Sequence, residues 1–392
     1  MGDPAATTAV RDGDKERLVA TASEGGAAGR LLSLDVFRGL TVAGMILANN
    51  MGGKAYAPFR HAEWDGWTPT DLIFPSFLFI VGVSITFALS KRLDRAADRR
   101  AVVFKILRRG AIIFGLGIAL AGFPKYTNWA TIRVPGVLQR IALCYVAAAL
   151  LFLVTRVRGQ VIATVALLVG YAAMMRYVPV PGGVAGDWSR GHDLGAYLDR
   201  LLLPGHIYKP DYDPEGLLST LPAIATTLLG ILAGHWLRSG RDRNAACSGL
   251  FAAGTLGVIA GSAWGAWFPI NKALWTSSFV LLAAGWSAIG LGCCYWACDV
   301  LGYRRWAAPL RVLGTNPIVA YVLASAGARL LNLPAIAAEG GKSVSIHSYY
   351  ASTYLAPNLA PIDASLAYAG SLLLACILIV WVMDALGVHV RA

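Results

Sequence analysis

Charged residues are scarce in this chain, and only 14% of its 392 residues are Asp, Glu, Lys or Arg. A soluble domain carries about 25% charged residues, so this chain could not cover a water-facing surface with them. The scarcity argues against a large soluble α/β protein. Because 56% of the residues are hydrophobic, we expect most of the surface to face lipid.

Other features are also missing. The six cysteines lie in apolar stretches without metal-ligand spacing, so we interpret them as small hydrophobic side chains and expect no metal site. No apolar h-region precedes the first hydrophobic segment, so we expect no cleaved signal peptide. The net charge of +12 does not indicate nucleic-acid binding, because the basic residues cluster in short connections between apolar runs, as membrane topology requires.

Apolar runs of about 20 residues recur along the whole chain, which predicts an all-α polytopic membrane protein with ten helices around a central cavity. We expect residues 1–30 to be a disordered cytoplasmic tail and residues 31–392 to form one transmembrane domain. A short amphipathic helix is expected near 194–203. The predicted spans are 32–51, 70–90, 103–122, 135–155, 160–178, 217–237, 246–268, 274–297, 308–332 and 364–387.

Lysine and arginine predict the orientation. The connection "SKRLDRAADRRAVVFKILRR" after the second span is the densest basic stretch and should be cytoplasmic. By alternation, the arginines after the fourth, sixth and eighth spans fall on the same side, and both termini are cytoplasmic. The connections on the external side are longer and richer in Trp, Pro, Asp and His. They are 52–69, 123–134, 179–216, 269–273 and 333–363.

The external stretch "PFRHAEWDGWTPTDLIFP" holds the most chemistry-bearing side chains. His61 has carboxylates nearby at Glu63, Asp65 and Asp71. An imidazole suits a general base, and a carboxylate can fix its tautomer. Asp71 has an equally good second interpretation, as a first-turn acid favoured by the helix dipole. Asn50, at the end of the first span, is close enough for the loop to fold back over it.

Polar side chains also occur within the predicted spans. Asp35 and Arg38 are one turn apart near the cytoplasmic end of the first span and can pair. The pair could fix that helix, or Arg38 could bind a phosphate-bearing ligand. Arg140 lies one turn inside the fourth span beside Gln139. Asn316, followed by Pro317, brings a broken helix to membrane depth, where broken helices line cavities.

Further candidates lie at the external surface. Asn271 and Lys272 precede the eighth span. Asp213 and Glu215 stand at the entry to the sixth span, where an N-terminal cap is the alternative to a binding role. Trp64 and Trp67 belong to the loop of His61 and could stack on a sugar ring.

Six motifs follow one another along the chain: "LDVFRGLTVAGMILANN", "HAEWDGWTPTDLIFPSFLFIVGVSI", "VPGVLQRIALCY", "DPEGLLSTLPAI", "NKALWTSSFVLL" and "LGTNPIVAY". In this order they resemble the heparan-α-glucosaminide N-acetyltransferase family of transmembrane acyltransferases. The resemblance runs from about residue 31 to the C-terminus. The chain is similar to the bacterial branch, since it has only a short tail where the lysosomal branch has a luminal domain.

The resemblance implies transfer of acetyl from cytoplasmic acetyl-CoA to the amine of a terminal glucosamine across the membrane. The family's active histidine maps to His61, and its assisting asparagine maps to Asn50 by spacing. We expect Asp71 to complete the catalytic set. The cofactor-binding candidates are Asp35, Arg38, Arg140, Asn271 and Asn316. The substrate-binding candidates are Trp64, Asp65, Asp213 and Glu215.

Two other functions remain open from the sequence. An amino-sugar transporter would share the polar residues at membrane depth and the broken helix. A non-catalytic membrane protein would give no reason for a carboxylate-flanked histidine beside a helix-end asparagine. For the acetyltransferase we expect a glucosamine-type sugar or oligosaccharide as acceptor, a homodimer by family resemblance, and the bacterial inner membrane as location.

Overall fold

The computed structural model of the protein describes residues 31–51, 54–94, 98–124, 129–337 and 343–388. The predicted tail 1–30 and the glycines at 52 and 53 lie outside these ranges. Two short strands, β1 (Pro334–Ala337) and β2 (Ser343–Ser345), pair antiparallel. The helices are α1 Leu32–Asn50, α2 Ile73–Asp94, α3 Arg99–Gly122, α4 Val137–Val154, α5 Val157–Tyr177, α6 Leu194–Leu202, α7 Thr220–Leu237, α8 Arg243–Trp264, α9 Ser277–Tyr295, α10 Ala308–Thr315, α11 Pro317–Leu331, α12 Ile346–Tyr350 and α13 Pro361–Ala385.

The all-α polytopic fold predicted from the sequence is confirmed, and each of the ten predicted spans is helical. In the described ranges, eight helices are long and apolar enough to cross a membrane. The other two predicted spans differ for visible reasons. Helix α3 begins with basic residues at 99, 100, 105, 108 and 109, and the ninth span is divided into α10 and α11. The predicted amphipathic helix is α6, so the count of ten crossings stays a prediction.

Local chemistry explains where several helices begin. The carboxylates of Asp98 and Asp242 accept hydrogen bonds from backbone N–H groups in the first turns of α3 and α8, which would otherwise lack partners. Pro317 has no N–H to donate and disfavours helical geometry in the residue before it. The chain therefore leaves α10 at Thr315 and begins α11 at Pro317, as the Asn-Pro pair predicts.

The helices form a centre and a periphery. Helix α9 packs against α1, α2, α7 and α8. It belongs to an apolar span that continues to Val300, and 72% of the most apolar stretch of that span is buried. The corresponding stretches of α5, α8 and α13 are only 22% to 28% buried. Most of their uncovered residues are apolar, as expected of helices that contact lipid.

Glycines allow two pairs of helices to touch backbone to backbone. A Cβ added at Gly39 of α1 would lie 1.8 Å from the carbonyl oxygen of Leu310 in α10, and one added at Gly314 would lie 1.8 Å from that of Asp35. Gly82 of α2 and Gly230 of α7 meet in the same way. Small residues at such crossings are typical of helix association in membranes.

The two ends of the bundle differ in chemistry. At one end, which we call the basic end, Asp299 accepts from the backbone of Ser33 and its carbonyl accepts from Arg243. Arg238 donates to the carbonyl of Thr86 at the same end. The start of α1, the end of α2 and the connections after α7 and α9 thus meet, as the predicted alternation requires. The opposite end, the loop end, carries the long connections 54–68, 178–219 and 265–276.

Candidate active site

His61 and Asp71 form a hydrogen-bonded pair at the loop end. Nδ1 of His61 lies 2.6 Å from Oδ1 of Asp71, whose side chain is 1% exposed, while that of His61 is 52% exposed. An ionised carboxylate can only accept, so the proton of the neutral imidazole is on Nδ1. Nε2 then carries the lone pair, as a general base or nucleophile requires.

The second oxygen of Asp71 fixes the loop around it. Oδ2 accepts from the backbone N–H groups of Ala62 and Thr68, each at 3.0 Å, and from the Thr68 hydroxyl at 3.1 Å. Thr68 and Asp71 thereby form a capping box on the 3-10 turn Pro69–Leu72 that precedes α2. The two interpretations of Asp71 are compatible, because one oxygen caps the turn and the other holds His61.

Lys272 joins this pair from a distant part of the chain. Its Nζ lies 3.1 Å from Nδ1 of His61 and 3.1 Å from Oδ1 of Asp71. Because Nδ1 donates its hydrogen to Asp71, the lysine acts on the pair through its charge and its hydrogen bond to the carboxylate. Sequence reasoning placed Lys272 at the external surface without giving it a role. The signal was its position in the "NKALWTS" motif.

The turn that carries Lys272 is held by Asn271, which is fully buried. The amide oxygen of Asn271 accepts from the backbone of Leu274 at 2.9 Å, and its Nδ2 donates to Oδ1 of Asp65 at 3.1 Å. Trp275 follows with a φ of 53°, and its indole donates to Thr226. A tryptophan rarely adopts this left-handed conformation, so the surrounding contacts determine the shape of the turn.

These contacts use several residues predicted to bind ligands. Asn271, a predicted cofactor ligand, links two connections of the loop end through Asp65, a predicted substrate ligand. Gly66 reinforces the link by donating its N–H to the carbonyl of Ile270 at 2.7 Å. The Trp64 indole donates to the carbonyl of Trp188 at 3.0 Å. The structure therefore places Trp64 and Asp65 between loops, next to the His61 cluster.

Asp213 and Glu215 lie in a separate ion cluster around Arg133. Arg133 donates from Nε and Nη2 to the two oxygens of Asp213, at 2.9 and 2.6 Å, and also to Glu215. The side chain of Asp213 is fully buried, and its oxygens also accept from the backbone of Tyr208 and Glu215. Both carboxylates thus hold the chain before α7. Arg133 was missed because the sequence does not reveal its partners, 80 residues away.

Arg140 is fully buried at the start of α4. Its Nη2 donates to the carbonyl of Gly216 at 3.0 Å and to the hydroxyl of Ser219, and its guanidinium lies 5.0 Å from the centre of the Trp275 ring. Nε and Nη1 have no hydrogen-bond partner among the described residues. Arg140 therefore connects α4 to the turn that carries Lys272 and to the start of α7.

Asp35 and Arg38 pair near the basic end, as the sequence predicts. Nη1 of Arg38 lies 2.9 Å from Oδ1 of Asp35 and 3.0 Å from the carbonyl of Gly314, and Nη2 lies 2.7 Å from the Ser84 hydroxyl. These contacts connect α1, α2 and α10 and support the structural interpretation of the pair. Asn316, fully buried at the break after α10, lies two residues after Gly314 in the chain. Phosphate binding by Arg38 stays a prediction.

Asn50 lies at the loop end, in the wall of a cavity of about 640 Å³ between α1, α3, α11 and α13. Its Nδ2 donates to the carbonyl of Ile46, one turn earlier, at 2.7 Å. In the described part of the chain no hydrogen bond joins Asn50 to His61. The structure thus brings together His61 and Asp71, whereas the pairing of Asn50 with His61 stays a prediction.

The fold and this site define a multi-pass helical membrane protein with an oriented histidine in a connection at the loop end. Residues 30–263 match the family model described as the catalytic region of heparan-alpha-glucosaminide N-acetyltransferase, and the chain belongs to that family. His61 and Asp71 lie inside the matched segment, and Lys272 lies beyond its end. The family resemblance seen in the motifs is confirmed.

Two curated relatives bear the family name. The heparan-alpha-glucosaminide N-acetyltransferase of Mus musculus is 31% identical over 352 residues, which cover 76% of this chain and 53% of the relative. That of Homo sapiens is 30% identical over 349 residues, covering 75% of this chain and 52% of the relative. The chain therefore spans about half the length of the curated relatives it matches.

Proposed function

We propose that the protein is a transmembrane N-acetyltransferase that transfers acetyl from acetyl-CoA on the cytoplasmic side to a glucosamine-type amine on the external side. The observation that carries this proposal is the His61–Asp71 pair, with Nε2 of His61 directed away from its carboxylate partner. Membership in a family named for N-acetyl transfer supports the reaction type. The acetyl donor, the orientation and the acceptor are parts of the proposal.

The proposed reaction forms one C–N bond and breaks one C–S bond. The acceptor nitrogen attacks the thioester carbonyl, the CoA thiolate leaves and is protonated, and the amine loses a proton to Nε2 of His61. Asp71 stabilises the imidazolium that forms, because its carboxylate faces the Nδ1 hydrogen. Asn50 is the proposed donor to the oxyanion.

A two-step variant uses the same residues. In that variant Nε2 of His61 first attacks the thioester and carries the acetyl group after the thiol leaves. The acceptor amine then displaces the imidazole from the acetyl carbon. An acetylated His61 peptide, detected by mass spectrometry after incubation without acceptor, would identify the two-step reaction.

The proposed location is the bacterial inner membrane, with the basic end in the cytoplasm. The meeting of the arginine-rich connections at that end supports this orientation, because cytoplasmic loops carry the excess of Lys and Arg. The proposed acceptor is a glucosamine-containing sugar or oligosaccharide on the other side. A homodimer stays a prediction.

The test uses the full chain in proteoliposomes with acetyl-labelled CoA and glucosamine. We expect labelled N-acetylglucosamine from the wild type. For His61→Ala we expect the transfer rate to fall by about 10² to 10⁴, with CoA affinity nearly unchanged. His192→Ala is the matched control, because His192 is an exposed histidine of another outer loop. Transfer by His61→Ala at the wild-type rate would refute the proposal. Glucosamine flux without acetyl transfer would indicate the transporter instead.

A further inference from the structure

We call the cavity at Asn50 the outer cavity. The residue contacts described above give it no function. Its polar lining is mostly uncharged and comes from four elements of the fold. Asn49 and Asn50 end α1, Asn332 follows α11, His347 lies in α12, and Tyr368 lies in α13. Its volume of about 640 Å³ is within the range of small-molecule sites.

Among the described residues of its wall, the one cation is already engaged. Nη1 of Arg329 lies 2.8 Å from the carbonyl oxygen of Phe123 and also donates to that of Leu120. Arg329 therefore satisfies backbone carbonyls at the C-terminal end of α3, where a positive charge is favourable. A cationic ligand would be repelled here, whereas an uncharged one would not.

Tyr368 and His347 offer unused hydrogen-bonding groups. Tyr368 is 7% exposed, and its hydroxyl has no hydrogen-bond partner among the described residues. A buried hydroxyl without a partner is costly, so a ligand that bonds to it gains more than an ordinary hydrogen bond. Nδ1 of His347 lies 2.9 Å from the amide oxygen of Asn332, which can only accept. Nδ1 is therefore the donor, and Nε2 is left to accept from a ligand.

The outer cavity also reaches the proposed oxyanion donor. A second cavity of about 280 Å³ shares Asn49, Asn50 and Arg329 with it and continues along α1 to Met45 and Ile46. Asn50, the proposed oxyanion donor, thus lies where the two cavities meet. By contrast, the carboxylates predicted to bind the acceptor, at positions 65, 213 and 215, are engaged in contacts between outer loops.

We propose that the outer cavity is the acceptor subsite and binds a sugar ring as an uncharged, hydroxyl-rich ligand, through Tyr368, His347 and Asn332. Hydroxyls that both donate and accept match these side chains, and the amine enters in its neutral form. This inference rests on the proposed function for the identity of the ligand as the acceptor. Its structural basis, the unsatisfied Tyr368 hydroxyl in the wall of a polar cavity, is independent of His61.

The test measures sugar binding without acetyl-CoA. Glucosamine and N-acetylglucosamine are titrated into the detergent-purified full chain by calorimetry. We expect Tyr368→Phe and His347→Ala each to weaken binding about tenfold, the loss of one good hydrogen bond. Tyr354→Phe is the matched control, because Tyr354 is a well-exposed tyrosine outside the cavity wall and should bind as the wild type does.

A thermal melt of the same samples separates binding from folding. Tyr368→Phe removes a buried hydroxyl that lacks a partner, so the ligand-free variant should melt no lower than the wild type. Wild-type sugar affinity in both variants would overturn the inference. A loss of affinity for CoA and not for the sugar would also overturn the inference, because the cavity would then hold the acetyl donor.

The two proposals can fail separately. Sugar binding that depends on Tyr368 in a protein without acetyl transfer would refute the proposed function and support the subsite. Acetyl transfer with an unchanged sugar KM in Tyr368→Phe would support the function and refute the subsite.

Discussion

The ammonium of Lys272 lies 3.1 Å from Oδ1 of Asp71, across 201 positions of sequence. The same carboxylate oxygen holds Nδ1 of His61 at 2.6 Å. One oxygen therefore receives a charge-assisted hydrogen bond from a distant loop while it orients the imidazole. Lys272 both neutralises the buried carboxylate and connects the turn 265–276 to the loop of His61.

Replacing Lys272 should slow acetyl transfer without weakening donor binding. A hydrogen bond to a charged group contributes about 1.5–3 kcal/mol, so we expect Lys272→Met to lower kcat by about tenfold or more. Lys272→Arg should recover part of the rate, because it keeps the charge. The measurement is kcat and KM for acetyl-CoA in proteoliposomes. Lys54→Met, a change at an exposed lysine of the same loop as His61, is the control, and equal rates in both Met variants would contradict the role.

Asn50→Ala should cost about 10² to 10³ in transfer rate, as removal of an oxyanion donor does. CoA affinity should change little, because among the described residues the side chain hydrogen-bonds to its own helix alone, at Ile46. Asn358→Ala is a matched control, since Asn358 also donates to the carbonyl four residues earlier, that of Tyr354. If the two alanine variants lose the same small amount of activity, Asn50 only caps α1.

Arg38→Ala should destabilise the protein, because it removes the ion pair between Arg38 and the buried carboxylate of Asp35. Removal of one member of a buried pair costs about 3–5 kcal/mol. The double variant Asp35→Asn, Arg38→Gln removes both charges and should recover most of the melting temperature in detergent. CoA affinity of the folded double variant then tests phosphate binding: a large loss would support that role, and wild-type affinity would leave Arg38 a purely structural residue.

We predict that the stability of the folded protein depends on pH through Asp199. Burial, with a contribution from the nearby charge of Asp213, raises the pKa of Asp199 to about 6, above the value of about 3.9 in an unfolded chain. The folded state therefore binds this proton more tightly, and the stabilisation that it gives is complete below about pH 4 and lost as the pH rises through about 6. Asp199→Asn stays uncharged and can still accept from the backbone of Leu217.

We therefore expect Asp199→Asn to be more stable than the wild type at pH 8, by up to about 3 kcal/mol, and equal to it near pH 4. Melting temperatures in detergent across this range measure the effect. Asp211→Asn serves as the control, because Asp211 is 45% exposed in its ion pair with Arg190. A difference between Asp199→Asn and the wild type that does not change with pH would contradict the prediction.

The predicted orientation can be tested with single cysteines in intact cells. Val184 is 75% exposed in the connection 178–219 of the loop end, and Ser239 is exposed in the connection between α7 and α8 at the basic end. A membrane-impermeant maleimide should label Val184→Cys and leave Ser239→Cys unlabelled until the cells are opened. The wild type reports labelling of the native cysteines. Labelling of Ser239→Cys in intact cells would reverse the orientation.

Much of the fold follows from the sequence, because lipid-facing helices need long apolar runs and the ends of those runs are marked. The Asn316–Pro317 break was predictable, since proline removes a hydrogen bond that the helix would need. His61 and Asp71 were predictable as partners because they lie only ten positions apart in the chain. Lys272 and Arg133 could not be assigned in this way, because their partners become neighbours only after distant helices have packed.

The same limit applies to Trp64 and Asp65. The sequence does not show that the Trp64 indole donates to Trp188 or that Asp65 accepts from Asn271. Sugar binding by these two residues stays a prediction. Tyr368 gave no signal at all, since a tyrosine in an apolar span resembles ordinary packing. Its unsatisfied hydroxyl is visible only in three dimensions.

The glycine contacts between helices have a practical consequence for engineering a more heat-resistant form. Replacing a helical glycine by alanine usually stabilises a protein by about 0.5–1 kcal/mol. At Gly39 and Gly314 the added carbon would meet a backbone oxygen at 1.8 Å, so the substitution would push α1 and α10 apart and strain the hydrogen bond from Arg38 to the carbonyl of Gly314 that links them. At Gly115 and Gly170 the added carbon meets nothing within 4 Å. A stabilised variant should therefore begin with those two positions and leave the helix crossings unchanged.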